Sequence, residues 1–166
     1  MDRHRIEVLR AAAMFGALSD EAIGFLLERA KPRRVAAGSR FFEQGEQGTS
    51  AFLLERGRAS VIKNSNGHEH TLRELGPGDC FGEVALLDFG PRSASVRADE
   101  ECEALEWTAI DLRRLGERFP EQFTLIYMNL GRELSRRLRD ADERLFRARI
   151  QATDAQAAND YEFSAH

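Results

Sequence analysis

The run between Gly78 and Val96 combines residue types that suit the binding of a small phosphorylated molecule. Gly82 stands before a short apolar stretch, which predicts a helix whose first backbone N–H groups attract anions. Arg92 offers a guanidinium that can hold two phosphate oxygens, and Glu83 offers an acceptor for a sugar hydroxyl. The run also contains small side chains that leave room for a ligand, at Ala85 and Ala94. These residues predict a pocket for a phosphorylated molecule such as a nucleotide.

Short strands separated by turns must position this run. Nine of the 13 glycines fall between Gly38 and Gly90, and glycine at short, irregular spacing is typical of turns. Asn66-Gly67 between two strand-like segments predicts a hairpin, because both residues tolerate positive φ. The strand candidates are Ser39–Glu43, Ala51–Glu55, Arg58–Lys63, His70–Leu75, Ser93–Ala98 and Glu103–Thr108. About eight short strands with frequent turns predict a jelly-roll β-barrel.

Helical patterns flank the strands on both sides. Ser19 is a candidate N-cap, and Lys31-Pro32 ends the helix that it begins. The predicted fold is mainly β with flanking α: N-terminal helices over residues 1–33, an eight-stranded jelly-roll barrel over 34–120 and a long helix over 121–150. A flexible tail is expected over residues 151–166. The long helix has a heptad-like apolar stripe at Leu134, Leu138, Ala141, Leu145 and Ala148.

Composition excludes several classes of protein. The formal net charge of −4 disfavours a generic nucleic-acid binder, which usually carries a basic excess. Two cysteines are too few for a disulfide framework or a four-cysteine zinc site. No apolar run is long enough to span a membrane, and the first residues lack the apolar core of a signal peptide. We therefore expect a protein of the cytoplasm with no membrane partner.

The segment Phe81-Gly82-Glu83-Val84-Ala85-Leu86-Leu87, followed by Arg92-Ser93-Ala94, resembles the phosphate-binding cassette of cyclic-nucleotide-binding domains. These domains occur in catabolite-activator-type regulators, cyclic-nucleotide-dependent kinases and gated channels. The glycine-marked stretch from Phe42 to Gly57 is also similar to the family's strands, and the resemblance covers roughly residues 11–150. It implies a cyclic nucleotide as regulatory ligand and no further cofactor.

The resemblance also implies a role for each matching residue. Glu83 would accept from a ribose hydroxyl, and Arg92 would pair with the cyclic phosphate. Gly82 and Ala85 would lend backbone groups, and Ser93 would reach the phosphate or the base. The full ligand-binding set implied is Leu72, Phe81, Gly82, Glu83, Val84, Ala85, Arg92, Ser93, Ala94 and Asp142, with Phe81 and Leu72 on the pocket wall.

The identity of the base depends on the long helix. Alignment on Ser135-Arg136-Arg137-Leu138 places Ala141 and Asp142 where catabolite-activator relatives have two hydroxyl residues that contact adenine. An ionised Asp142 only accepts hydrogen bonds, so it could take the amine of adenine or the N–H groups of guanine. The serine after Arg92 and the frequency of cAMP among bacterial relatives favour cAMP over cGMP.

The resemblance implies a stand-alone receptor in which the ligand biases a change of the long lid helix. In relatives this helix is also the dimer seam, so a homodimer through residues 121–150 is expected. The residues after the long helix are too few for a helix-turn-helix domain, and direct DNA binding is therefore not expected. Output would pass to an unidentified effector protein.

Two other functions are considered. A degenerate barrel that binds no nucleotide would act as a dimerising interaction module. A cupin-type metalloenzyme is suggested by His68-Glu69-His70 with Glu74, but the remaining histidines, His4 and His166, lie near the termini. We therefore assign no metal ligand. No nucleophile with a base and no P-loop is visible in the sequence, so no catalytic residue and no enzyme activity are predicted.

Overall fold

The computed structural model describes the backbone of residues 3–164 and the side chains of residues 5–87 and 89–154. In this part of the chain the strands are flanked by helices on both sides. The helices are α1 (Arg3–Ala11), α2 (Asp20–Arg29), α3 (Val84–Asp88), α4 (Ala109–Arg118) and α5 (Pro120–Ser164). The strands are β1 (Lys31–Val35), β2 (Arg40–Phe42), β3 (Ser50–Arg56), β4 (Ala59–Ser65), β5 (His68–Leu75), β6 (Cys80–Phe81), β7 (Ser95–Ala98) and β8 (Cys102–Thr108).

The strands form two four-stranded antiparallel sheets. One sheet has the order β1-β8-β3-β6 and the other has the order β2-β7-β4-β5. Both sheets contribute side chains to one hydrophobic core, which includes Phe52 and Ala104 from the first and Val96 and Leu75 from the second. The predicted mainly β jelly-roll fold with flanking helices is therefore confirmed. The sheets do not close into a continuous barrel, because terminal strands such as the two-residue β6 pair on one side only.

Local sequence signals explain several element boundaries. The hairpin predicted at Asn66-Gly67 is confirmed, because these residues join β4 to β5 with φ values of 54° and 82°. The Ser19 hydroxyl accepts a hydrogen bond from the backbone N–H of Ala22 at 3.3 Å, which caps α2 as expected. The helix ends before Lys31, where β1 begins, so the first strand starts earlier than the predicted boundary at residue 34.

A buried aromatic residue, Trp107, connects the N-terminal helices to the sheets by a hydrogen bond and by packing. The indole nitrogen of Trp107 donates to the carbonyl of Leu26 at 2.8 Å, which joins β8 to α2. Phe15 packs on the same indole with ring centroids 5.1 Å apart. The start of α5 is fastened nearby, because Gln122 accepts from the backbone N–H of Ser19 and Asn129 donates to the carbonyl of Gly16 at 2.9 Å.

Helix α4 was not predicted from the sequence. Thr108 and Asp111 form a capping box at its start, in which each side chain accepts from the other residue's backbone N–H. This signal was present in the sequence, but the helix begins directly after the last residue of β8. The strand-like pattern therefore runs directly into the helix, and the sequence pattern did not separate the two elements.

The chain divides into two units, Met1–Asn129 and Leu130–His166. The first contains both sheets and the beginning of α5, and the second contains the rest of that helix. The helix continues through the alanine-rich stretch after Gln151 as far as Ser164, because alanine has a high helix propensity. The segment expected to be a tail is therefore helical in its described part, and its flexibility stays a prediction. None of the described helices has the length and apolar character needed to cross a membrane.

Candidate functional site

The site is centred on Arg92, whose guanidinium lies inside the first unit. Arg92 is only 6% exposed. Its Nη1 donates to the carbonyl oxygen of Gly82 at 2.7 Å, and its Nη2 donates to the hydroxyl of Ser50 at 3.3 Å. The guanidinium carbon also lies 4.0 Å from the ring centroid of Phe42. A carbonyl, a hydroxyl and an aromatic face therefore hold this positive charge.

The backbone of Arg92 is held by the loop that precedes β3. Its N–H donates to the carbonyl of Glu46 at 2.7 Å, and its carbonyl accepts from the N–H of Gly45 at 2.9 Å. Gln47 and Pro91 form an isolated bridge beside these bonds. The second turn of the cassette is thereby tied to a loop more than forty residues earlier in the sequence.

Two glycines allow the cassette to approach Arg92 closely. Gly82 has a φ of 75°, and a Cβ atom there would lie 2.8 Å from Nη1 of Arg92. Gly48 has an ordinary φ, but a Cβ atom there would lie 2.1 Å from the Cβ of Ala85. Any larger residue at either position would push the loops apart. The small side chain of Ala85 is required for the same reason, since it faces Gly48 directly.

Glu83 directly follows Gly82 and is 2% exposed. It stands at the N-cap position of α3, and its carbonyl accepts from the N–H of Leu86 at 3.0 Å. Burying a carboxylate is costly unless a positive charge or hydrogen-bond donors compensate it, and the nearby Arg92 is one such positive charge. Glu83 is one of the acids that raise the pKa of Arg92.

The electrostatic balance at Arg92 is set by burial. Desolvation lowers the pKa of Arg92 and outweighs the opposite effect of Glu46, Glu106 and Glu83, which raise it. The side chain stays protonated, because an arginine pKa lies far above neutrality. A charged guanidinium in a desolvated position attracts an anion strongly.

Four phenylalanines stand behind the guanidinium. Phe52 and Phe81 stack with centroids 5.2 Å apart and an interplanar angle of 13°. Phe42 packs against both, at 5.9 Å and 6.2 Å, and Phe41 meets the same pair edge-on. These rings come from β2, β3 and β6, so both sheets support the site.

The structure brings together most of the residues predicted for the site. Phe81, Gly82, Glu83, Ala85 and Ala94 belong to the same region as Arg92, and all except the partly buried Gly82 are buried. Val84 begins α3 and is half-buried.

The other predicted residues lie nearer the surface. Ser93 is exposed, and Leu72 on β5 is 50% exposed, so their contacts with a ligand stay predictions. Asp142 is exposed and belongs to the second unit, so its contact with a base stays a prediction.

The sequence did not assign Gly48, Ser50 and Phe42 to the site. Gly48 was visible as one of several glycines in a polar turn, but its close approach to Ala85 joins distant parts of the chain. Ser50 is buried at the start of β3 and has no local motif that indicates its contact with Arg92. Only the pairing of the sheets reveals these contributions.

The histidines considered as metal ligands lie on the exposed strand β5. Glu69 between them is engaged by arginines, since it accepts from Arg97 at 3.3 Å and also pairs with Arg40. Among the described side chains, those of residues 5–87 and 89–154, no group of three or more metal-binding residues is found.

Comparison with known proteins gives the family. The sequence profile of the cyclic nucleotide-binding domain matches residues 32–119, which is more than half of the chain. The chain belongs to the cyclic nucleotide-binding domain family. The matched range ends just after α4 and contains the cassette, Gly48, Ser50 and Phe42.

Individual relatives agree with this assignment. The cyclic AMP receptor protein of Thermus thermophilus is 36% identical over 135 residues, which cover 81% of this chain and 61% of that protein. A cyclic nucleotide-gated potassium channel of Rhizobium etli is 34% identical, covering 69% of this chain and 31% of the channel. The crystal structure of the Thermus thermophilus catabolite activator protein superposes with a TM-score of 0.72 at 37% identity, covering 81% of this chain and 62% of that one. The chain thus spans about three fifths of the receptor's length.

Proposed function

We propose that the chain is a cyclic nucleotide receptor that binds cAMP in preference to cGMP and catalyses no reaction on its ligand. The observation that carries the proposal is the buried guanidinium of Arg92, held by the Gly82 carbonyl, the Ser50 hydroxyl and the Phe42 ring. A cyclic phosphate would supply the negative charge that these groups do not. Glu83 would accept a hydrogen bond from the ribose, as the family pattern implies.

The relatives support the choice of ligand. One curated relative is described as a receptor of cyclic AMP and another as a channel gated by a cyclic nucleotide. Ser93 next to Arg92 and Asp142 on α5 are the proposed contacts to the base side of the ligand, and an ionised Asp142 would accept from the amine of adenine.

Signalling would proceed by a shift of population. The ligand would favour one conformation of the long helix, and a partner protein would bind that conformation.

A homodimer through residues 121–150 is part of this proposal. Leu138 and Leu145 of the predicted stripe are 62% and 53% exposed, and a second copy of the helix would cover them. A location in the cytoplasm and the absence of a DNA partner stay predictions from the sequence.

Calorimetric titration with cAMP, cGMP and linear AMP tests the proposed ligand. Saturable binding of cAMP that exceeds binding of cGMP and of linear AMP is expected. Arg92→Ala should lower the affinity for cAMP by about a hundredfold or more, because it removes a charge-assisted contact from a desolvated site. Arg97→Ala is the matched control, since Arg97 lies on the neighbouring strand β7 and pairs with Glu69 at the surface. Failure of the wild-type chain to bind either cyclic nucleotide would contradict the proposal and favour an interaction module.

Asp142→Ala tests the base contact separately. We expect a larger loss of cAMP affinity than of cGMP affinity. A larger loss for cGMP would assign guanine as the preferred base, whereas equal losses or no loss would remove Asp142 from the site.

Mass measurement of the intact complex under native conditions would report the number of subunits and so check the proposed dimer.

A further inference from the structure

The face of the Phe42 ring lies against the guanidinium of Arg92. The guanidinium carbon is 4.0 Å from the Phe42 centroid and 6.0 Å from that of Phe52. A Cβ atom at Gly82 would lie within 3.2 Å of Phe42 and within 2.8 Å of Arg92, so the cassette glycine, the ring and the guanidinium are in mutual close contact. This contact joins β2 to the cassette.

The ring has little freedom to leave this position. Phe42 is 8% exposed, and its neighbours Phe52 and Phe81 are stacked on each other behind it. Phe42 lies at a tilt of about 30° to both rings, with centroid distances of 5.9 Å and 6.2 Å. The aromatic cluster therefore presents one fixed π face to the arginine.

A buried guanidinium can be stabilised in two ways. A carboxylate would neutralise it, but a ligand phosphate would then have to displace that partner. The electron-rich face of an aromatic ring stabilises the cation without cancelling its formal charge, and its effect grows when water is excluded. At Arg92, Phe42 covers one side and the hydrogen-bond acceptors are the neutral carbonyl of Gly82 and hydroxyl of Ser50, while the charges of Glu46, Glu83 and Glu106 act in addition and raise its pKa.

We infer that Phe42 is a positioning residue for anion binding: its ring face holds the guanidinium of Arg92 in place and leaves the positive charge available to the ligand phosphate. This inference rests on the proposed cyclic nucleotide receptor function. It adds a residue outside the cassette to the phosphate site. It also means that the affinity for the ligand depends on the electron density of the ring face as well as on the size of the ring.

Fluorinated phenylalanines incorporated at position 42 test the inference, because fluorine weakens the negative face of the ring while almost keeping its shape. In a series from one to three fluorines, cAMP affinity should fall stepwise, reaching about a tenfold loss. The same series at Phe25 is the matched control, since Phe25 is 7% exposed and its ring centroid lies 3.5 Å from the guanidinium carbon of Arg29, outside the predicted site. There we expect affinity to stay within about twofold of the wild type. Phe42→Leu removes the π face and should lower cAMP affinity at least as much as the fluorinated series does.

A second measurement needs no ligand. If the ring stabilises the buried cation, fluorination at Phe42 should lower the melting temperature of the ligand-free chain. The same fluorination should have little effect in an Arg92→Met background, where there is no cation. Equal effects in both backgrounds, or a flat affinity series in a chain that binds cAMP normally, would overturn the inference. If the unmodified chain binds no cyclic nucleotide, the proposed function fails, whereas the melting comparison still reports whether Phe42 and Arg92 interact.

Discussion

Arginine residues occupy contrasting environments in the two units of this chain. In the first unit, Arg92 is buried and donates to a carbonyl and a hydroxyl. In the second unit, Arg136 and Arg147 are exposed and pair with Glu133 and Glu143 one helical turn earlier, at 2.7 Å and 2.9 Å. The surface pairs neutralise each other in water and each stabilise the helix modestly. Arg92 keeps its charge in a desolvated place, which is the condition for binding an anion.

The same conservative substitution in both environments should give the largest contrast. Arg92→Lys keeps the charge but loses the planar fork that contacts Gly82 and Ser50 together, so we expect cAMP affinity to fall by roughly tenfold to a hundredfold. Arg136→Lys should leave affinity unchanged, because a lysine can still pair with Glu133 at the surface. Calorimetry on both variants checks this, and equal affinities would show that the fork geometry at Arg92 has no importance.

Two glycines sharpen the contrast between a packed site and an open loop. Gly48→Ala would bring a methyl group to 2.1 Å from the Cβ of Ala85, so the cassette must shift. We expect a loss of about 1–3 kcal/mol in the free energy of unfolding, together with weaker cAMP binding. Gly76→Ala is the control, since nothing lies within 4 Å of its added Cβ. Urea denaturation measures both, and a Gly48→Ala chain as stable as the control would contradict the close packing of Gly48 on Ala85.

The smallest effect is expected in the second unit, at Glu133. Burial alone raises the pKa of Glu133, but hydrogen bonds and charges from Arg136 and Arg137 outweigh it, and the pKa is lowered overall. Because the folded pKa is the lower one, the stabilisation is complete above the ordinary glutamate pKa of about 4.3 and is lost as pH falls through the folded value.

Glu133→Gln should therefore reduce amide protection around residues 130–140 at neutral pH, by about 0.5 kcal/mol for each pair lost. The difference from the wild type should vanish in acid. Hydrogen exchange at both pH values provides the measurement. Glu143→Gln is the control at a more exposed position, since the Glu143 side chain is 57% exposed, and it should show a smaller effect. A Glu133→Gln effect that persists in acid would mean that charge is not its cause.

The parts predicted correctly from the sequence depend on short-range physics. Asn66-Gly67 predicts its hairpin because both residues adopt positive φ locally, and Ser19 caps α2 within three residues. The cassette is also a local motif, so Glu83 and Arg92 could be named as its charged residues. Helix α4 was missed although its capping box is equally local, because the strand before it runs directly into the helix.

The remaining features depend on contacts between distant segments. The sequence by itself determined the mainly β fold, the position of the cassette and its charged residues, since each follows from residue type and near spacing. Only the tertiary structure decided that Gly48 faces Ala85, that Ser50 receives a hydrogen bond from Arg92, and that the Phe42 ring lies against its guanidinium. The physical reason is that strand pairing brings together residues about forty to fifty positions apart, and no local pattern encodes which faces meet.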